Sequence, residues 1–208
     1  MNMIITIGRE FGSGGRELGR RLAENLGIAY YDQEIVTEIA KRTELSERYI
    51  QQIISRRPIT SYPITTVHSF HPVSNPLMEQ SCTVFQEQCS ILQEMAEKSD
   101  CVIVGRCADY ILREKEPFRI FVYADMESKI ARCRRKGEMK EDMTDREIRQ
   151  QILSVNRNRA RYYDFFTGQK WGDRVNYDLC INTTYGSVKN IAAAVAGLCG
   201  TFPSDAKE

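Results

Sequence analysis

The chain has 208 residues, 42% of them hydrophobic and 27% charged, with a formal net charge of +1. That length suits one domain, or one domain with lid-like insertions, and can bury a real core. The near-neutral balance argues against nucleic-acid or membrane partners, and no apolar run approaches a membrane span. The seven cysteines form no C-x-x-C pair, and His68 and His71 are the only histidines. Reduced, mostly buried thiols are therefore expected rather than a zinc site. No signal-peptide pattern opens the sequence, so a cytoplasmic location is expected.

A β-branched run, Ile4 to Ile7, reads as a buried strand. Gly8, Gly12, Ser13, Gly14 and Gly15 follow, and then Leu18, Leu22 and Leu26 recur at helical spacing up to Gly27. Ile28 to Asp32 is a second short strand. Ile35, Val36, Ile39 and Ala40 mark a helix over 33–42. Ser46 caps another, with Tyr49, Ile50, Ile53 and Ile54 facing in. From Arg56 to about Asn75 the pattern breaks, and prolines up to Pro76 point to a long loop.

A helix is predicted over 81–98, with Val84, Phe85, Leu92 and Met95 inward. Cys101 to Gly105 is a continuous apolar strand, as in a parallel sheet buried on both faces, and Arg106 follows it. Phe118 to Tyr123 is a fourth strand, leading to a helix that ends near Gly137. Thr144 and Glu147 form a capping box before a helix with Ile148, Ile152 and Val155 on its apolar side. Tyr177 to Ile181 is a fifth strand. Ser187 to Cys199 is the last helix, with Ile191, Val195 and Leu198 buried, and a flexible tail is expected from 203.

Strands alternating with helices predict an α/β fold: a doubly wound sheet of five parallel strands. Ligands in such sheets sit beyond the carboxyl ends of the strands. Strand, glycine loop and helix together turn backbone N–H groups and a helix N-terminus toward a phosphate. The strict G-x-x-x-x-G-K-[ST] pattern is not met, because Gly14-Gly15-Arg16-Glu17 stands in its place and leaves Arg16 as the cation for the lysine role. The loop at 12–16, Asp32 and Arg106 all fall at the expected ligand edge. The segment 132–174 holds twelve of the 29 lysines and arginines against seven acids. A basic lid closing over phosphates is one reading, and a solvated helix face the other.

These residues resemble the cytidylate-kinase-like branch of the P-loop nucleoside monophosphate kinases. The resemblance rests on Ile4 to Glu17, on Tyr31-Asp32, on Gly105-Arg106, on the run Arg132/Arg134/Arg135 and on Tyr177 to Thr183. It implies a P-loop kinase domain over 1–202, with an acceptor-binding insertion at 33–80 and a basic lid at 132–174. It implies ATP with Mg2+ as cofactor, and a nucleoside monophosphate or similar small phosphate acceptor as partner. ATP phosphates would lie on Gly12, Ser13, Gly14, Gly15, Arg16 and Glu17. The acceptor would meet Asp32, Arg42, Arg106 and Arg134. Arg16, Asp32, Arg157 and Arg161 would act on the transferring group. Magnesium ligands and oligomeric state are not specified.

The sequence departs from that pattern at three places. The P-loop lysine and Ser/Thr are missing, Val104 replaces an aspartate, and Glu38 stands where an acceptor-binding arginine is placed, with Lys41 and Arg42 a turn further on. The acceptor therefore need not be a cytidine nucleotide. A nucleotide-binding protein without catalysis is the main alternative. A short-chain dehydrogenase, suggested by Gly8/Gly12/Gly14, Asp32 and Tyr185-x-x-x-Lys189, leaves too little chain after Tyr185 for that fold.

Overall fold

The computed structural model describes residues 2–55, 76–137, 139 and 142–199. The expected loop at 56–75 and the tail from 203 lie outside them. Five parallel strands form one sheet in the order β2-β3-β1-β4-β5. They are β1 (Ile4–Arg9), β2 (Ala29–Tyr31), β3 (Cys101–Val104), β4 (Phe118–Tyr123) and β5 (Leu179–Asn182). β1 is central, with Ile4 opposite Cys101 in β3 and Ile5 opposite Phe118 in β4.

Strand alternation sorts the core into two layers. Ile4, Cys101 and Ile103 face α2 (Glu34–Thr43), α3 (Glu47–Ser55) and α4 (Pro76–Lys98), meeting Ile35, Ile39, Ile50 and Leu92. Ile5, Ile7, Val102, Val104 and Ile120 face the other way, against α1 (Gly15–Leu26) and α8 (Val188–Cys199). Leu18 and Leu22 of α1 are fully buried there, each contributing about 1.5–3 kcal/mol. This packing fixes the loop between β1 and α1.

Further helices close the site. A single turn, α5 (Ala108–Ile111), follows β3. Beyond β4 come α6 (Met126–Arg135) and the long α7 (Asp145–Thr167). α7 starts on the expected capping box: Glu147 N–H donates to Thr144 Oγ1, and Thr144 N–H to Glu147 Oε2 at 2.7 Å. Ile148 and Ile152 join Ile130 and Cys133 in a small core between α6 and α7. Further along, Tyr162 and Tyr163 pack with Cys107, Phe85 and Trp171 against the body of the fold.

Three expectations are corrected. α4 begins at Pro76 rather than Ser81, because proline at a first helical position loses no helix hydrogen bond. The fifth strand begins at Leu179, and Tyr177 packs its ring at a tilt against Phe121, centroids 4.9 Å apart, instead. In α8 the buried positions are Val188, Ala192, Val195 and Cys199, while Leu198 is exposed. None of the helices among the described residues is long and apolar enough to cross a membrane.

Gly19 sets how closely α1 approaches the sheet. A Cβ there would lie 2.8 Å from Val104 Cγ2 and 3.0 Å from Ile7 Cδ1. Gly19→Ala should therefore destabilise the fold by about 1–3 kcal/mol through overpacking, read as a lower urea midpoint at unchanged slope.

Candidate functional site

The loop between β1 and α1 turns on two glycines in the left-handed region, Gly12 (φ 74°) and Gly14 (φ 84°). Gly14 caps α1, so the first-turn N–H groups of Gly15, Arg16 and Glu17 have no partner within the helix. The loop is held from behind. Arg132 Nη1 donates to Gly12 O at 2.6 Å and Nη2 to Thr183 O at 3.2 Å. Thr183 Oγ1 donates to Ser13 O at 2.6 Å. With two carbonyls tied back to buried donors, the loop presents its N–H side to a cavity of about 290 Å³.

Basic groups surround that cavity: Arg9, Arg16, Arg132, Lys136 and Arg159 all border it. Its one carboxylate, Glu10, is neutralised by Lys129 Nζ at 2.7 Å. Such a space, with helix N–H groups on one side and guanidiniums on the other, suits an anion with several oxygens.

A second cavity of about 190 Å³ opens beside it, beyond the carboxyl ends of β1 and β3. Arg9, Arg16 and Arg159 border this one too, joined by Arg106. Its far wall is Tyr162, Tyr163, Trp171 and Tyr177. Asp109 sits among them and accepts a hydrogen bond from Tyr163 Oη at 2.6 Å. Arg106 reaches the cavity through an unusual backbone. Gly105, Arg106 and Cys107 are three successive left-handed residues (φ 73°, 62° and 54°). Such a conformation costs about 1–3 kcal/mol per non-glycine residue and recurs at ligand sites.

Asp32, a buried carboxylate just after β2, borders neither cavity but pairs with two of the arginines that do. Arg16 Nε lies 2.5 Å from its Oδ2, and Arg9 Nη2 lies 3.7 Å from Oδ1. The arginines are crowded. Burial lowers Arg9 to about 10, offset in part by Asp32 and reinforced by Arg106 and Arg16. Burial, then repulsion from Arg9, Arg16 and Arg106, pushes Arg159 well below its ordinary value. A cluster of this kind gains from an incoming anion.

The structure brings Gly12, Ser13, Gly14, Gly15, Arg16, Asp32 and Arg106 together at one sheet edge. The remaining sequence-derived positions lie elsewhere. Glu17 pairs with Arg21 and with Lys136, at 3.0 and 2.9 Å. Arg42 forms a two-pronged pair with Glu94 between α2 and α4, away from both cavities. Arg134 bonds Asp145 and the carbonyl of Met143, tying α6 to α7. Arg157 and Arg161 are exposed and border neither cavity. Arg159, between them on α7, turns inward and donates to Arg9 O at 3.0 Å. Sequence reasoning assigns no site role to Arg9, Asp109, Arg132, Arg159 or Thr183; Arg9, Arg132 and Thr183 fall only within motifs that carry the family resemblance, and Arg159 only within the basic segment. The available signal for Arg159 was its spacing of four from Val155, on the inward face.

Two measurements probe this geometry. Thr183→Val keeps the side-chain shape but removes the tether to Ser13. It should lower stability by about 1–2 kcal/mol and also weaken pyrophosphate binding at the loop. An unchanged affinity would mean that the loop keeps its posture without the tether. Burial raises the Asp109 carboxyl above its ordinary value, against the opposing Tyr163 bond. The native state then binds that proton at higher pH than the unfolded chain does. Stability therefore falls as pH rises from the ordinary carboxylate value to the raised one. Asp109→Asn should flatten that slope in a Tm-against-pH profile.

Solved structures share the fold. An uncharacterized protein from Eubacterium ventriosum aligns at TM-score 0.69 and 24% identity, over 96% of this chain and 99% of that one. Shikimate kinase from Acinetobacter baumannii, in complex with shikimate, aligns at 0.55 and 16%, over 99% and 96%. Shikimate kinase from Bacteroides thetaiotaomicron aligns at 0.57 and 14%, over 96% and 99%. No curated protein matches the sequence. The sheet order, the glycine loop and these kinase folds agree with the match of residues 4–185 to the cytidylate kinase-like family, to which the chain belongs.

Proposed function

We propose that this protein is an ATP-dependent phosphotransferase that moves the γ-phosphoryl group to a nucleoside monophosphate or a similar small anionic acceptor. One observation carries the reading: Arg9, Arg16 and Arg159 border both cavities at once. Phosphoryl transfer needs two sites meeting at a point of concentrated positive charge, since catalysis rests on positioning and electrostatic stabilisation. The glycine loop would hold the ATP phosphates on the N–H groups of Gly15 and Arg16. The acceptor would occupy the cavity of Arg106, Asp109 and Tyr163, with its anionic group toward the arginines. Arg159, carried on α7, would face the transferring group from the lid side.

Magnesium is a different matter. Ser13 Oγ donates back to Glu10 O, and Glu17 is engaged with Arg21 and Lys136. Among the described residues no group of three His, Cys, Asp or Glu could hold a metal ion. The described residues therefore offer no fitting ligand set for a protein-held ion.

The missing P-loop lysine favours a second reading, a nucleotide-binding protein that transfers nothing. Turnover with ATP and a panel of nucleoside monophosphates separates the two. On the kinase reading, Arg159→Ala should lower kcat by on the order of 10²–10³-fold, with little change in ATP affinity. Arg157→Ala and Arg161→Ala should stay within about twofold of the parent, as exposed positions do. If the parent protein transfers phosphoryl to no acceptor, the non-catalytic reading replaces the first.

A further inference from the structure

The P-loop pattern puts lysine directly after its last glycine turn, where it reaches the β- and γ-phosphates. Here the last left-handed glycine is Gly14, so that place falls on Gly15, the first residue of α1. Gly15 has no room for a side chain. A Cβ on it would lie 2.5 Å from Arg9 Cβ, 3.0 Å from Arg9 Cγ and 3.2 Å from Val122 Cβ. The space in front of the first turn is already filled by the stem of Arg9.

The far end of Arg9 is accommodated in the same way. Its guanidinium lies over Gly105, where an added Cβ would collide with Nη1. Two glycines on different elements, one opening α1 and one closing β3, are thus both shaped to a single side chain. Asp32 steadies the guanidinium, but at 3.7 Å it is beyond hydrogen-bond reach, so that pair leaves donor capacity unused. The Arg9 side chain is only 14% exposed, yet it borders both the loop cavity and the acceptor cavity. Arg16, the cation nearest in sequence, is committed differently: its side chain is 64% exposed and pairs closely with Asp32.

We infer that Arg9 is the catalytic cation of this loop, supplying from the end of β1 the charge that a P-loop lysine supplies from the start of α1. Gly15 and Gly105 are glycines because Arg9 passes across both. The planar guanidinium, approaching from the strand side, forks to oxygens of the terminal phosphates while its position over Gly105 keeps it in reach of the acceptor. The inference rests on ATP binding at the glycine loop, and it extends the phosphotransferase reading by naming the group that replaces the lysine.

The test exchanges the two positions. ATP affinity is measured by calorimetry, and Tm by thermal unfolding, for the parent, for Arg9→Ala, Arg9→Gln and Gly15→Lys, and for the double variant Arg9→Gly/Gly15→Lys with its Arg9→Gly reference, since alanine would keep the Cβ that lies 2.5 Å from the new side chain. The single Arg9 variants should weaken ATP binding by on the order of 10–100-fold, as loss of charged hydrogen bonds does. Arg9→Gln keeps most of the stem, so it gives this reading even if the alanine variant folds poorly. Gly15→Lys alone should lower Tm, because the new side chain meets Arg9. In the double variant Tm should recover in part from that of Gly15→Lys, with Val122 Cβ still 3.2 Å away, and ATP affinity should exceed that of Arg9→Gly. A purely structural Arg9 would not be rescued by a lysine at position 15. Parent-like ATP affinity in Arg9→Gln, or a double variant no better than either single one, overturns the inference. A parent that binds ATP without turnover removes the phosphotransferase reading alone. A parent that binds no ATP removes both.

Discussion

The pairing of Arg16 and Arg9 with the buried carboxylate of Asp32 is what lets four guanidiniums share one sheet edge. Unit charges about 4 Å apart repel by about 4 kcal/mol near a protein surface. One carboxylate does not balance Arg9, Arg16, Arg106 and Arg159, and burial lowers Arg9, Arg106 and Arg159 below their ordinary values. An anion entering either cavity would satisfy the remaining charge. The unliganded fold is thus pre-strained toward binding, as pre-organised electrostatic sites are.

The opposite side of the loop is held by hydrogen bonds to its backbone. Carbonyl oxygens of Gly12 and Ser13 are taken up by Arg132 and Thr183, and Phe11 N–H is taken up by Asn156 at 2.7 Å. The loop is therefore anchored by α6, α7 and the residue after β5 at once. Lys136, at the end of α6, reaches back to Glu17 in the first turn of α1. The start of the basic segment is thus fastened to the first turn of α1.

Most of the fold was legible in the sequence because buried parallel strands read as continuous apolar runs and helices keep their 3.6 period. The capping box at Thr144 and the stop at Gly27 were legible for equally local reasons. Pro76 misled because a proline signals both a loop and a helix start. The site was legible where chemistry sits on the backbone, in the glycines, and at strand ends, in Asp32 and Arg106. It was not legible where the choice depended on which way a helix faces. Arg157 and Arg161 lie opposite the Ile148/Ile152/Val155 stripe, but the sheet edge lies on the side of Arg159. Arg9 ends a strand, and nothing in one sequence says that Gly15 and Gly105, so far apart, make room for the same side chain.

The tether from Thr183 to Ser13 spans 170 residues. β1, the strand that carries the loop, is made before its neighbours, yet Met3 must wait for Asp100, 97 residues later, to pair. Its second neighbour, β4, follows later still. Contacts of such long range slow folding and leave the apolar β1 segment unpaired during synthesis. The glycine loop, made long before Thr183, gains this tether only once Thr183 is in place. A nascent chain released short of Thr183 would have its glycines, its helix and its arginines in hand, and no fixed cradle to hold a nucleotide.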